Sequence, residues 1–253
     1  MPHALVRPPG PLLADGLVTH IDRTPIDTEL AADQWRGYVD ALQHHGWTTA
    51  IVEPADECAD AVFVEDAMVV FDRLCVITRP GAASRRAEVL GAEAAARAAG
   101  LEVVHIVEPG TLDGGDVLKV DRTVYVGVGG RTNAPAVAQL AQILAPSGWH
   151  VRPVPVRRVL HLKSAVTALP DGTVVGFADL VDDPSSFDRF LAVPEPAGAH
   201  VVLLGDDRLL MSADAPRTAA LYRSMGYGVV EVDISEFEKL EGCVTCLSVR
   251  IRS

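Results

Sequence analysis

The chain has 253 residues, 49% of them apolar and 22% charged. That is enough to bury a large core, and it excludes an intrinsically disordered chain. A net charge of −12 and a pI near 5.0 argue against a nucleic-acid backbone as partner, and no run approaches the roughly 18 apolar residues of a membrane span.

In chain order, a short strand at 3–7 comes first. A polar, aperiodic segment at 16–27 follows, which reads as a surface loop or as a lid. A helix is predicted at about 28–45, closed by Gly46 and followed by a β-branched run. Strands at 62–78, a helix at 84–99, Gly100 and a strand at 101–107 form the next unit. The pattern returns as strands at 115–128, a helix at 134–145, Gly148 and a strand at 149–156. Strands at 160–168 and 173–177 precede a short helix near 184–191. Strands at 200–212, a helix at 216–225, Gly226 and a strand at 227–232 come next. Ser235 to Glu238 reads as a capping box. The apolar run from Cys243 to Ile251 predicts a strand at 244–251.

The recurring helix–glycine–strand signature suits the left-handed cap that glycine adopts without strain. Its intervals are 54, 48 and 78 residues, so the longest one has room for a degenerate unit. If strand 244–251 lies beside strand 3–7, the chain closes into five ββαβ-like units in a ring, as a single domain over residues 1–253. An open mixed α/β sheet also fits the periodicity. The N-terminus lacks the basic and apolar regions of a secretory signal. Four cysteines are too few for a disulfide scaffold, so a cytoplasmic setting is expected.

Several residues could carry chemistry. Cys246 lies in a C-x-x-C with Cys243, near the end of the chain. No second ligand pair completes a zinc site, and a redox pair would be expected at a helix start. A cysteine in an apolar run also reads as a small buried hydrophobe. His161, in VLHLKSAV, reads as a strand histidine that is either half-buried or an acid/base. Asp113 precedes two glycines in TLDGGD, which reads as a hairpin turn or as a carboxylate that orients His161. Glu65 and Asp66 sit in FVEDA, read as a strand, so one of them should point inward. With Asp60 they form an acidic set that a cation would neutralise. Arg85 and Arg131 stand at helix starts, where a positive charge opposes the helix dipole; binding a carboxylate is a reason to keep them there. Together these residues describe a site for an arginine-like molecule.

The strings FVED, RPGAASRRAE, TLDGGDV, GGRTN, LHLKSAV and TCLSVRI resemble the dimethylarginine dimethylaminohydrolases of the pentein superfamily, in a resemblance that runs over about residues 3–251. The resemblance implies a five-bladed α/β propeller around a central channel, and hydrolysis of Nω-methylated arginine to citrulline and methylamine or dimethylamine. It implies Cys246 as nucleophile, His161 as general acid and base, and Asp113 as its support. It implies Glu65 and Asp66 on the guanidinium, Asp60 and the backbone of Leu17 on the α-amino group, and Arg85 and Arg131 on the α-carboxylate. No cofactor or metal is implied. The expected partner is the small-molecule substrate, with no nucleic acid and no membrane, and a homodimer is compatible. An arginine deiminase of the same superfamily and a non-catalytic propeller module are the alternatives.

Overall fold

A computed structural model describes residues 2–252. Strand β1 (His3–Val6), helix α1 (Thr28–His44) and strand β2 (Thr48–Ile51) come first. Strands β3 (Met68–Phe71) and β4 (Leu74–Ile77) form a hairpin. Helix α2 (Val89–Ala98) then crosses to strand β5 (Glu102–His105), which pairs parallel with β4. The same plan repeats as β6 (Val117–Val120), β7 (Thr123–Val128), α3 (Ala134–Leu144) and β8 (His150–Pro155). It repeats again with β9 (Val166–Ala168), β10 (Val174–Gly176) and β11 (Phe190–Ala192). The last full unit is β12 (Val201–Gly205), β13 (Arg208–Ser212), α4 (Pro216–Ser224) and β14 (Gly228–Val232). After the short helix α5 (Ser235–Glu238), strand β15 (Val249–Ile251) pairs antiparallel with β1. The two ends of the chain therefore build one blade between them, as the apolar C-terminal run predicts.

The five three-stranded sheets are blades of a propeller, and the ring is closed by packing between blades. Strand alternation explains how. Met68 and Val70 face a core shared with Leu5 and Val249 of the first blade, while Val69 and Phe71 face a core shared with Val117 and Val126 of the third. Two further cores join the third blade to the fourth and the fourth to the fifth. A fifth core sets Ala4, Val6 and Leu42 against Val202, Leu204 and Leu210, which returns the ring to its start. The glycines after the helices, Gly46, Gly100, Gly148 and Gly226, all have positive φ, from +73° to +97°, as caps require.

Several expected elements differ. The helix near 184–191 is only a 3-10 turn, Pro184–Ser186, followed by β11. Asp183 caps it by accepting from Ser185 N at 3.0 Å. The capping box at Ser235 does not form. Ser235 is inside the helix, its N–H donates to Asp233 Oδ1 and its Oγ accepts from Gln34 Nε2. The C-terminal strand is also shorter, because residues 244–247 form a turn.

Candidate active site

Four blades deliver a side chain from equivalent places, the turn that runs into the blade's first strand. Asp66 lies in the 3-10 helix Val64–Ala67 before β3, and Asp113 immediately precedes Gly114–Asp116 and β6. His161 precedes the 3-10 helix Leu162–Ser164 before β9, and Cys246 sits in the turn before β15. The sequence reading placed Glu65–Asp66, His161 and the C-x-x-C on strands. They are on tight turns instead, so Glu65 and Asp66 are both buried rather than on opposite faces.

Seven of the nine expected residues line one pocket: Leu17, Asp60, Asp66, Arg85, Arg131, His161 and Cys246. Asp113 stands behind His161, with Oδ2 3.0 Å from Nε2. Asp113 is itself fixed, since Oδ1 accepts from Gly81 N at 2.8 Å and its own N–H donates to Thr132 Oγ1. Glu65 does not line this pocket. Its backbone N–H donates to the Cys246 carbonyl at 3.2 Å, but Oε1 is held by Lys163 Nζ at 2.6 Å and Arg250 Nη2 at 2.7 Å. Of the two carboxylates expected together, only that of Asp66 reaches this pocket.

Asp66 is the most heavily engaged acid. Oδ1 accepts from Gly115 N at 2.8 Å and Oδ2 from Arg85 Nη1 at 2.6 Å, and His161 Nδ1 is 3.9 Å away. Burial opposes its ionisation, but His161, Arg85 and Gly115 prevail and hold it at about 2. Burial likewise disfavours the imidazolium of His161. Asp66, Asp113 and Asp116 outweigh that and lift it to about 9. His161 is therefore a cation at neutral pH, with a proton to give. Folding thus tightens proton binding at this ring relative to its ordinary value. The stabilisation is complete below about pH 6.5 and lost as pH rises toward 9. Denaturant melts at pH 6.5 and 9 should show a decline that His161→Asn flattens by roughly 3 kcal/mol; an unchanged slope would contradict this electrostatic account.

Cys246 Sγ is 3.3 Å from Cys243 Sγ. The hydrogen bond with Cys243, burial, and the charges of Glu65 and Asp66 push the Cys246 thiol up. Two thiolates cannot sit so close, so the pair gives up one proton and keeps the second. Only a cation entering beside Asp66 would reverse the balance at Cys246.

The two arginines differ. Arg85 spends Nε and Nη2 on Glu88, Nη1 on Asp66, and Nη2 also on the carbonyls of Asp60 and Phe63. One Nη1 hydrogen remains. Arg131 Nη1 is buried with no hydrogen-bond partner among the described residues, 3.9 Å from Asp113 Oδ2. It is the cation with capacity to spare. Asp60 Oδ1 accepts from Leu17 N at 3.0 Å. Burial raises the Asp60 pKa despite Arg85. Asp66, Asp113 and His161 offer ligand atoms within 4.8 Å of one another, as a metal site would. Their contacts with Arg85, Gly115, Gly81 and each other already occupy those atoms, so the set does not fit a metal well.

Several contributors escaped the sequence reading. The glycines of TLDGGD are there for close approach rather than for a hairpin. A Cβ on Gly114 would fall 1.9 Å from the Glu65 carbonyl, and one on Gly115 would lie 2.7 Å from both Asp66 Oδ1 and His161 Nδ1. Gly115→Ala should therefore displace both groups and lower kcat/KM by about 100-fold, with the fold retained by circular dichroism; an unchanged kcat/KM would show that this spacing does not matter. Asp116 ties two turns together by accepting from Thr132 Oγ1 and Leu162 N. Glu241 lines the pocket and holds segment 16–27, accepting from Thr19 N and His20 N.

A dimethylarginine dimethylaminohydrolase from Streptomyces coelicolor is 63% identical over 249 residues, covering 98% of this chain and 96% of that protein. The chain belongs to the dimethylarginine dimethylaminohydrolase family. A solved family structure, a histidine-to-glycine variant as an adduct with S-methyl-L-thiocitrulline, superposes with a TM-score of 0.92 at 33% identity, over 98% and 99% of the two chains. A cysteine-to-serine variant of the Pseudomonas aeruginosa dimethylarginine dimethylaminohydrolase, complexed with citrulline, gives 0.91 at 33% identity over 98% of both. The sequence family described as RNA-editing substrate-binding complex 5 protein (RESC5) takes in residues 2–180. That span stops short of Cys246. Among the described residues, no helix of this dimethylarginine dimethylaminohydrolase family member is long and apolar enough to cross a membrane.

Proposed function

We propose that the chain hydrolyses Nω-methylated L-arginine to L-citrulline and methylamine or dimethylamine, as one catalytic domain in the cytoplasm. The observation that carries this reading is the convergence of Cys246, the charged His161–Asp113 pair and Asp66 on one pocket that also holds Arg131. Asp66 receives the guanidinium, and Glu65 contributes charge from behind Cys246. Asp60 and the Leu17 carbonyl take the α-amino group. Arg131 takes the α-carboxylate, helped by the remaining Nη1 hydrogen of Arg85.

Binding brings a cation against a thiol whose neighbours are acids, which favours the Cys246 thiolate. The sulfur attacks the guanidinium carbon. His161 gives its proton to the departing methylamine nitrogen, since an amide anion cannot leave. The carbon–nitrogen bond breaks and a thiouronium remains on Cys246. Neutral His161 then takes a proton from water and the oxygen attacks the same carbon; collapse expels the Cys246 thiolate while the remaining hydroxyl proton passes to the freed amine or to solvent, and citrulline is released. Segment 16–27 would act as a lid through Leu17 and tune which substituent fits.

Citrulline release from asymmetric dimethylarginine, monomethylarginine and arginine, measured side by side, tests the proposal. Turnover of the methylated substrates supports it. Turnover chiefly of arginine moves the activity to a deiminase, and no citrulline from any of the three overturns the reading. Arg131→Gln should raise KM by about 10–100-fold with a smaller effect on kcat, because a buried charged hydrogen bond is worth about 1.5–3 kcal/mol. An unchanged KM would take Arg131 out of substrate binding.

A further inference from the structure

A second set of charged residues lies away from the catalytic pocket. Two adjoining cavities, of about 200 and 60 Å³, share Lys119, Lys163, Arg250 and Arg252, and neither shares a residue with the pocket of Cys246. The acids that line them are Glu65 and, at the exposed rim, Asp121. One Glu65 oxygen already serves both Lys163 and Arg250.

Lys119 and Arg252 have no carboxylate within 4.0 Å among the described residues. Lys119 Nζ donates to the Val70 carbonyl at 2.6 Å and sits 5.4 Å from the Phe71 ring centroid. Exposed Arg252 donates to the Leu203 carbonyl at 2.8 Å and lies 5.3 Å from the Trp47 ring centroid. Carbonyls and ring faces soften the charge of these side chains without cancelling it. Four basic side chains thus face one buried acid in a protein whose net charge is −12.

We propose that this cavity is a binding site for a small dianionic oxyanion, an inorganic phosphate or a phosphomonoester, held by Lys119, Lys163, Arg250 and Arg252. The cluster has the chemistry for it. Arg252 presents a planar fork with only Nη2 engaged, Arg250 keeps Nε and one Nη2 hydrogen beside its bonds to Thr245, Ser248 and Glu65, and Lys119 and Lys163 present compact charges with unused donor directions. Burial and the neighbouring cations push Lys119 down to about 7, and a bound dianion would repay that repulsion. The site stands independently of the proposed catalytic activity.

The test is calorimetric titration and thermal melting in a phosphate-free buffer at constant ionic strength, with inorganic phosphate and β-glycerophosphate as probes. Saturable binding of phosphate and a rise in Tm are expected. Lys119→Gln combined with Arg252→Gln should weaken binding at least tenfold, while Lys119→Arg and Arg131→Gln should retain it. Binding of both probes assigns the site to phosphomonoesters, and binding of phosphate alone assigns it to the free ion. If the double variant does not fold, Arg252→Gln alone, at an exposed position, must still weaken binding. Absence of saturable binding, equal affinity in the variants, or loss in Arg131→Gln would each overturn the proposal. None of these readouts depends on citrulline formation.

Discussion

Cys246→Ser is expected to lower citrulline formation by about a thousandfold or more while leaving substrate binding nearly intact. As the proposed nucleophile, Cys246 must be activated by the substrate itself. Burial, the contact with Cys243 and the charges of Glu65 and Asp66 all push the Cys246 thiol up, so the unliganded pocket holds it protonated. A guanidinium against Asp66 brings an opposite charge that favours the thiolate, and even a raised thiol lies far below an alcohol. A serine hydroxyl starts many units higher, and the same cation cannot reach it. His161 offers no rescue as a base, since Asp66, Asp113 and Asp116 keep it charged. The substitution removes one sulfur from a buried turn and introduces no steric demand, so Tm should move little. Single-turnover citrulline assays and mass spectrometry of trapped adducts read the outcome. A near-normal rate would end the thiouronium mechanism. A residual rate that vanishes when Cys243 is also replaced would make Cys243, at 3.3 Å, the working sulfur instead.

The blades were legible in the sequence because their signals are local. A glycine after four of the predicted helices suits a left-handed cap, and an apolar C-terminal run needs a partner; both expectations meet the structure at Gly46, Gly100, Gly148, Gly226 and β15. The fourth blade was harder, because Pro184, Ser185 and Ser186 make a short turn where the repeat leads one to expect a helix. Site residues were legible by type and misplaced by conformation. FVEDA reads as a strand because its flanks are apolar, yet Gly114 lets the Glu65 carbonyl come so close that the segment can coil into a 3-10 turn. It is the resemblance that implies Glu65 on the substrate beside Asp66. Its pairing with Lys163 and Arg250 spans 98 and 185 positions of chain, and no local pattern reports that. Arg85 with Glu88, three residues apart on one turn, was the pairing that spacing alone could have found.

Arg85→Gln should cost roughly 3–5 kcal/mol of stability, the expected loss when one partner of a buried ion pair is removed. For a chain of this size that corresponds to a fall in Tm of about 10 °C. Arg85, Asp66 and Glu88 are 4%, 2% and 1% exposed, so water cannot take over the lost contacts. Burial already raises the Glu88 carboxyl with Arg85 in place, and without Arg85 it would bind a proton rather than stay charged. Asp66 would keep His161 and Gly115 but lose its shortest contact, at 2.6 Å. Arg85→Lys should rescue little, because one ammonium cannot span Glu88, Asp66 and the carbonyls of Asp60 and Phe63 as a planar fork does. Replacing Arg85 and Glu88 together by leucine should recover part of the stability, since it removes a buried charge along with its partner, while activity stays low because Asp66 is no longer held. If Arg85 served chiefly to bind the substrate carboxylate, Arg85→Lys would raise KM and leave Tm close to that of the parent. Denaturation and steady-state kinetics on the same variants separate the two roles, and the geometry of the fork favours the structural one.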